Sequence, residues 1–372
     1  QPQLAATGGA FALWCHGDNA VVTWGNATRG GDSSAVQDQL KGVQQIQATD
    51  TAFAAILQDG SVVTWGEQRS GGDSSAVRDQ LRGVQQIQAS SRAFAAILAD
   101  GSVVTWGSAE FGGDSSAVRD HLTGVLQIQA TSHAFAAIRE DGCVVTWGDE
   151  RFGGNSSAVQ DHLRGVQKVQ ATGTAFAAIL EDGSVVTWGD AADGGDSLAV
   201  RDQLKGVQQI QSTYYAFAAI LADGSVVTWG DQRYGGDSSA VRDQLKGVQH
   251  IQATLDGVFA AILADGSVVT WGDADFGGNS LAVQDQLKGV QQIQATFGAF
   301  AAILADGSVV TWGNEAGGGD SSAVRDQLRG VQQIQATSAA FAAILEDGSV
   351  VTWGDAADGG DSSAVRDHLR GV

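Results

Sequence analysis

The chain has no methionine, one proline, two cysteines and three tyrosines in 372 residues, and half as many Lys and Arg (21) as Asp and Glu (42). Each shortage excludes something. The basic deficit leaves a net charge of −21. An acidic surface repels phosphate backbones, which argues against nucleic acid as the principal partner and fits a basic protein better. The longest apolar runs are about six residues, far short of the ~20 that cross a bilayer as a helix, so no membrane span is expected. Two cysteines, Cys15 and Cys143, do not make a disulfide framework, and a zinc site needs clustered ligands. Both read as small side chains. No signal-peptide pattern stands at the start, and without an initiator methionine the expectation is that a leader has been removed. With 43% hydrophobic residues and ten tryptophans, a disordered acidic tail is excluded.

What is present is repetition. VVTWG occurs nine times, with its tryptophan at Trp24, Trp65, Trp106, Trp147, Trp188, Trp229, Trp271, Trp312 and Trp353. The step is 41 residues throughout, except for one of 42 between Trp229 and Trp271. A fixed period of this size marks a propeller, solenoid or array, so independent domains are excluded. We take residues 1–372 as one domain of nine repeats: approximately 1–41, 42–82, 83–123, 124–164, 165–205, 206–246, 247–288, 289–329 and 330–372.

The second repeat shows the pattern. Val43–Ala48 mixes apolar residues with Gln and reads as a half-buried strand. Ala52–Leu57, AFAAIL, is apolar on both parities, so this strand must be covered on both faces. Asp59-Gly60 then marks a hairpin, because Gly accepts the positive φ of a tight turn. Ser61–Trp65, rich in β-branched residues, is a third strand. Asp73-Ser74-Ser75 followed by Ala76, Val77 and Leu81 reads as a capped short helix or helical turn, stopped at Gly83.

A three-stranded unit cannot cover its own middle strand, and stacking against neighbours does so. The chain closes on a helical segment ending Gly371-Val372 and opens on Gln1-Pro2-Gln3-Leu4-Ala5-Ala6-Thr7, which resembles the VQQIQAT strand due next. The expected fold is therefore all-β, a closed nine-bladed β-propeller. An open superhelical array is the alternative, since nine blades exceed the usual four to eight.

The core IQATxxAFAAILxDGSVVTWGxxxxGG resembles the repeat of the regulator-of-chromosome-condensation family over essentially the whole chain. Its spacing is most similar to short-repeat members such as the propeller that inhibits β-lactamases. The resemblance implies a propeller that binds proteins through its faces. The sequence departs from the family pattern in two places: Phe53, Phe94 and their equivalents replace a His, and Gly-Gly-Asp-Ser replaces the segment after Trp-Gly. The family also includes a photoreceptor, but the Arg neighbours of its sensing cluster are absent here. The tryptophans read instead as core residues, each bonding a neighbour's backbone through its indole N–H.

The repeats differ among themselves in two segments. One follows the first strand: Gly8-Gly9, Asp50-Thr51, Ser91-Arg92, Ser132-His133, Gly173-Thr174, Tyr214-Tyr215, Leu255-Asp256-Gly257, Phe297-Gly298 and Ser338-Ala339. The other follows Trp-Gly and carries Arg69, Phe111, Phe152, Arg233, Tyr234 and Phe276. Antiparallel strands bring both segments to one end of each sheet and the nearly uniform Asp-Gly turns to the other. Neutral drift of exposed loops is one reading. The other is a binding face, because aromatics and Arg are typical of hot spots. Its candidate partner-binding residues are Arg69, Arg92, Phe111, Phe152, Tyr214, Tyr215, Arg233, Tyr234, Phe276 and Phe297.

No asymmetric catalytic cluster is visible, since every acid or base candidate recurs with the repeat. The Asp of each GGDSS (Asp32, Asp73, Asp114) gives way to Asn155 and Asn279, which can cap a helix but cannot replace a catalytic carboxylate. The six His (His16, His121, His133, His162, His250, His368) are scattered, and no phosphate-loop motif follows a strand. No enzyme activity, cofactor or metal is expected. The leading function is a non-catalytic protein-binding scaffold. The alternatives are a structural subunit that self-associates through the uniform turns, or a glycan- or small-ligand-binding propeller.

Overall fold

The computed structural model describes residues 2–15 and 21–363. Gln1, His16, His368 and the closing segment through Gly371-Val372 lie outside the described residues. Contacts group the chain into two compact units, Gln3–Ser197 and Leu198–Val372. The first unit holds five three-stranded antiparallel sheets and the second holds four, each built from consecutive strands of one repeat. In repeat 2 the strands are Val43–Ala48, Ala52–Leu57 and Val62–Gly66. All nine repeats are thus all-β meanders, as the pattern predicted.

The middle strand shows why no polar face was needed. Ala52, Ala54 and Ile56 point into a core shared with Leu81 of their own repeat and with Val84, Ile87, Phe94 and Trp106 of repeat 3. Phe53 and Ala55 point the other way, against Ala10, Ala12 and Trp14 of repeat 1. Period-two alternation thus feeds two cores, one on each neighbour. A bulge between Val43 and Gln45 shifts the phase of the first strand by one residue. Val43 and Ile46, three apart, consequently enter the same core. Burying the ring of Phe53, which is fully inaccessible, contributes roughly 2–3 kcal/mol, and a Phe stands at the same place in every repeat.

Three further links tie each sheet to the next within a unit. The indole N–H of Trp65 donates to the Gly30 carbonyl at 3.0 Å, and Trp106 reaches Gly71 at 3.1 Å in the same way. The tryptophan expectation is thereby met. Trp24 is the exception, its Nε1 having no acceptor among the described residues. At the hairpin end, Gly60 accepts from Val84 N–H at 2.9 Å. There Gly60 (φ +75°) lies so close to repeat 3 that a Cβ would stand 2.8 Å from Gly83 Cα. The uniformity of the Asp-Gly turns is therefore dictated by packing as well as by turn geometry. At the opposite end, Asp50 N–H donates to Ser91 O at 3.0 Å and Ser91 N–H to Ser132 O at 3.1 Å.

The segment after the paired glycines is the helical turn of the two forms expected, a short helix or a helical turn. Most repeats carry a tight helical turn of three residues, such as Ser75–Val77, and repeat 3 has six, Ser116–His121. Asp73 stands one position before the N-cap residue, and its Oδ1 accepts from Ser75 N–H at 2.9 Å, an Asx turn rather than a helix cap. Asn155 makes the same bond to Ser157 at 3.0 Å, in keeping with its interchange with Asp. In repeats 1, 4 and 7 a Gln on this segment seals the free edge of the third strand: Gln37 to Val21 O (2.9 Å), Gln160 to Val144 O (3.2 Å) and Gln284 to Val268 O (3.0 Å).

Candidate interaction surface

The register pairs Phe53 with Trp65 and Ala52 with Gly66 at one end of the sheet, and Ile56 with Val62 at the hairpin end. Both variable segments therefore meet at the Ala52–Gly66 end, where Glu67 N–H donates to Thr51 O at 3.0 Å. A buried hydroxyl fastens them. Thr49 Oγ1 accepts from Ala52 N–H at 3.0 Å and donates to Ser70 O at 3.2 Å, so one side chain grips both segments. Ser90 (to Phe111 O, 2.7 Å), Thr131 (to Phe152 O, 2.9 Å) and Thr213 (to Tyr234 O, 3.1 Å) do the same in their repeats. These hydroxyls were not singled out from the sequence. Their signal was a Thr or Ser at one position of every repeat, immediately before the first variable pair.

In the first unit the candidate residues converge over repeats 3 and 4. Phe111 stacks on His133 with centroids 4.0 Å apart, and His133 stacks on Phe152, also at 4.0 Å. Arg92 lies over Phe111 at 5.1 Å and Arg151 over Phe152 at 5.7 Å. Arg151 is held by Asp149 through Nε–Oδ1 (3.1 Å) and Nη2–Oδ2 (2.6 Å). The result is one continuous stack of five side chains, Arg92, Phe111, His133, Phe152 and Arg151. His133, read beforehand as one of several scattered histidines, is its centre. Its Nδ1 has no hydrogen-bond partner among the described residues, and burial between the rings holds its pKa below the ordinary histidine value. Arg69 projects into solvent from its turn. Nearby, Thr51 (3.1 Å) and Ser70 hydrogen-bond Glu67, keeping that carboxylate below its usual pKa.

In the second unit Tyr215 contacts Tyr214 at 4.8 Å and Tyr234 at 4.5 Å. Arg233 lies 5.2 Å over Tyr234 and is paired with Asp231. Tyr234 is also seated on Gly257 of the next repeat, where a Cβ would come within 2.5 Å of it. Phe276 covers Gly298 of its next repeat in the same manner, with a Cβ 2.5 Å from its ring. Part of the aromatic variation is thus inter-repeat packing: a large ring on one turn faces a glycine on the neighbouring loop. Tyr234 and Phe276 are half-buried for this reason, Phe111 and Phe152 are half-buried against His133, Tyr214 and Tyr215 are half-buried in the tyrosine cluster, and Phe297 is 44% exposed.

The first variable segments are linked by main-chain bonds. In the first unit Gly8 N–H donates to Asp50 O (2.9 Å), followed by Asp50 to Ser91, Ser91 to Ser132, and Ser132 to Gly173 (2.9 Å). In the second unit Tyr214 N–H donates to Leu255 O (3.1 Å), Asp256 N–H to Phe297 O (2.9 Å) and Phe297 N–H to Ser338 O (2.9 Å). Residues that vary between repeats therefore sit on a regular backbone ladder. Among the described residues no group of three or more His, Cys, Asp or Glu could hold a metal ion, and no helix is long and apolar enough to cross a membrane.

No protein-family model matches the chain, and no curated protein matches it. Among solved structures, it is similar to human WBSCR16 at 16% identity, covering 61% of this chain and 76% of that one, with a TM-score of 0.41. It is also similar to Prp20p of Saccharomyces cerevisiae, described with its binding to Gsp1p and histones, at 13% identity, 72% and 82% coverage and a TM-score of 0.44. A third similar structure is the computationally designed Ika8 protein, at 14% identity, 84% and 96% coverage and a TM-score of 0.43.

Proposed function

We propose that this chain is a non-catalytic protein-binding scaffold that recognises its partner through the end of the sheets bearing both variable segments. One observation carries the reading. In most repeats a buried Thr or Ser hydroxyl bonds both loop segments, and a main-chain ladder joins neighbouring loops within each unit, while the side chains mounted on this frame change from Gly and Ser to Arg, Tyr, Phe and Leu. A rigid frame with interchangeable side chains lowers the entropy lost when those side chains are engaged. The motif's resemblance to the regulator-of-chromosome-condensation repeat, whose members share protein binding, agrees with it, and the nine sheets are then propeller blades. Arg69, Arg92, Arg233 and Phe297, the most exposed of the candidates, provide the direct contacts. The half-buried rings position them.

The test uses repeat 9, which already carries a plain version of both segments, Ser338-Ala339 and Asp355-Ala356-Ala357-Asp358. Transplanting these residues into the other repeats gives a reset chain on the same frame. Affinity capture from an extract of the source cells is then run with both forms. The proposal expects a defined set of proteins retained by the native chain and lost by the reset one. Identical sets on the two forms would refute it.

A further inference from the structure

Five large apolar side chains are well exposed among the described residues: Leu126, Leu198, Leu255, Leu281 and Phe297. Two of them, Leu255 (46%) and Phe297 (44%), stand at successive positions of the backbone ladder, directly after Tyr214. Elsewhere that position holds Gly8, Asp50, Ser91, Ser132, Gly173 or Ser338, all small or polar. Backbones joined by such ladder bonds run about 5 Å apart. Tyr214, Leu255 and Phe297 thus form a short apolar row on three consecutive repeats of the second unit.

The single departure from the 41-residue spacing of the VVTWG tryptophans falls inside this row. The extra residue lets Leu255 contribute the carbonyl that Tyr214 uses and Asp256 the N–H that reaches Phe297. Repeat 7 can then present Leu255 and a carboxylate side by side. The charge beside the row is of one sign. Asp256 is half-buried, and its pKa is raised by desolvation and by Asp273 nearby. Asp273 and Asp275 follow on the adjacent turn. Asp231 is neutralised by Arg233 at 2.8 Å, whereas Asp256, Asp273 and Asp275 form no ion pair among the described residues.

We propose that the row Tyr214–Leu255–Phe297, with the unpaired carboxylates of Asp256, Asp273 and Asp275 beside it, docks a basic amphipathic helix of a partner protein. The spacing selects the helix. Side chains three and four apart on a helix lie about 5–6 Å from one another, matching the ladder step, whereas alternate residues of an extended strand are nearly 7 Å apart. The carboxylates select Lys and Arg on its flanks. They also disfavour a second copy of this acidic chain and an anionic lipid surface. The inference rests on the protein-binding reading and names the partner's chemistry at one part of that surface.

The probe is a labelled peptide of about four helical turns, with Leu at i, i+4 and i+7 and Lys at the remaining exposed positions. Its binding to the full chain is followed by fluorescence anisotropy. Saturable binding is expected, weakened about tenfold or more by each of Leu255→Ser and Phe297→Ser. Serine is the residue that other repeats carry there, so the frame should fold unchanged, and circular dichroism checks this. Asp273→Asn together with Asp275→Asn should weaken binding and flatten its salt dependence. Equal binding of a Lys-only peptide would overturn the apolar half of the proposal, and equal binding of a Leu/Glu peptide the charged half. No binding, or concentration-dependent self-association lost in the two Ser variants, would overturn it entirely. If the native chain still captures partners that the reset chain loses, the scaffold reading survives that failure.

Discussion

If the loops are held by buried hydroxyls, removing one without changing its shape should be costly. Thr131 is 3% exposed. Its Oγ1 has one proton, and the nearer acceptor is Phe152 O at 2.9 Å rather than Ala134 O at 3.3 Å. The same oxygen accepts from Ala134 N–H at 3.0 Å. Thr131→Val keeps the volume and leaves a buried donor and a buried acceptor unpaired, which should cost about 2–4 kcal/mol. Thr131→Ser keeps both bonds and loses a methyl, costing about 1 kcal/mol. Repeat 3 shows that serine fits, since Ser90 bonds Phe111 O at 2.7 Å and accepts from Ala93 N–H at 3.1 Å. Urea unfolding followed by tryptophan fluorescence should rank wild type above Ser and Ser above Val. Amide exchange at Ala134 should accelerate most in the Val variant. Hydrophobicity alone ranks the two variants the other way. A Val variant as stable as the Ser variant would therefore show that packing, not the hydroxyl, holds the variable segments, and the rigid-frame argument would fall.

Two other perturbations probe the frame. Gly71 has φ +93°, and a Cβ there would sit 2.5 Å from the buried Phe94 ring. Gly71→Ala should cost roughly 2–5 kcal/mol in urea melts, whereas Gly317→Ala, with only ordinary contacts around it, should be close to neutral; equal effects would refute the assigned inter-repeat contact. His133 titrates below its ordinary pKa because burial between Phe111 and Phe152 disfavours the cation. Arg151 and Arg92 act in the same direction, while Asp149 and Glu110 oppose. The unfolded chain then binds the proton more readily, so this contribution to stability is present above about pH 6.5 and lost as pH falls toward the depressed value. His133→Phe, which keeps a stacked ring without a charge, should lose less stability than wild type between pH 7.5 and 5.5. An identical loss would mean that the imidazolium is accommodated in the stack.

Much of the architecture was legible from local pattern. The 41-residue period, the three strands of each repeat, the Asp-Gly hairpin and the meeting of both variable segments at one sheet end follow from residues close in sequence. So does the double-sided burial of AFAAIL, because a strand apolar on both parities has no other use. The site was read less completely. Arg92, Phe111 and Phe152 were recognised as candidates, but the histidine that joins them was not, since its partners lie 22 residues before it and 19 after it along the chain.

What the repeat could not show by itself is which differences are recognition and which are packing. Tyr234 belongs with Gly257, and Phe276 with Gly298, only because stacking places one repeat's turn on the next repeat's loop. The recurrence of the Asp-Gly turn in repeats 2 to 9 likewise has a tertiary cause, the approach of Gly60 to Gly83 across the interface. The sequence by itself determined the repeating sheet, because alternation and turn chemistry act over a few residues. The tertiary structure alone decided which variable side chains are spent on the neighbouring repeat and which, like Leu255 and Phe297, remain exposed. That outcome depends on the distance between backbones a full repeat apart.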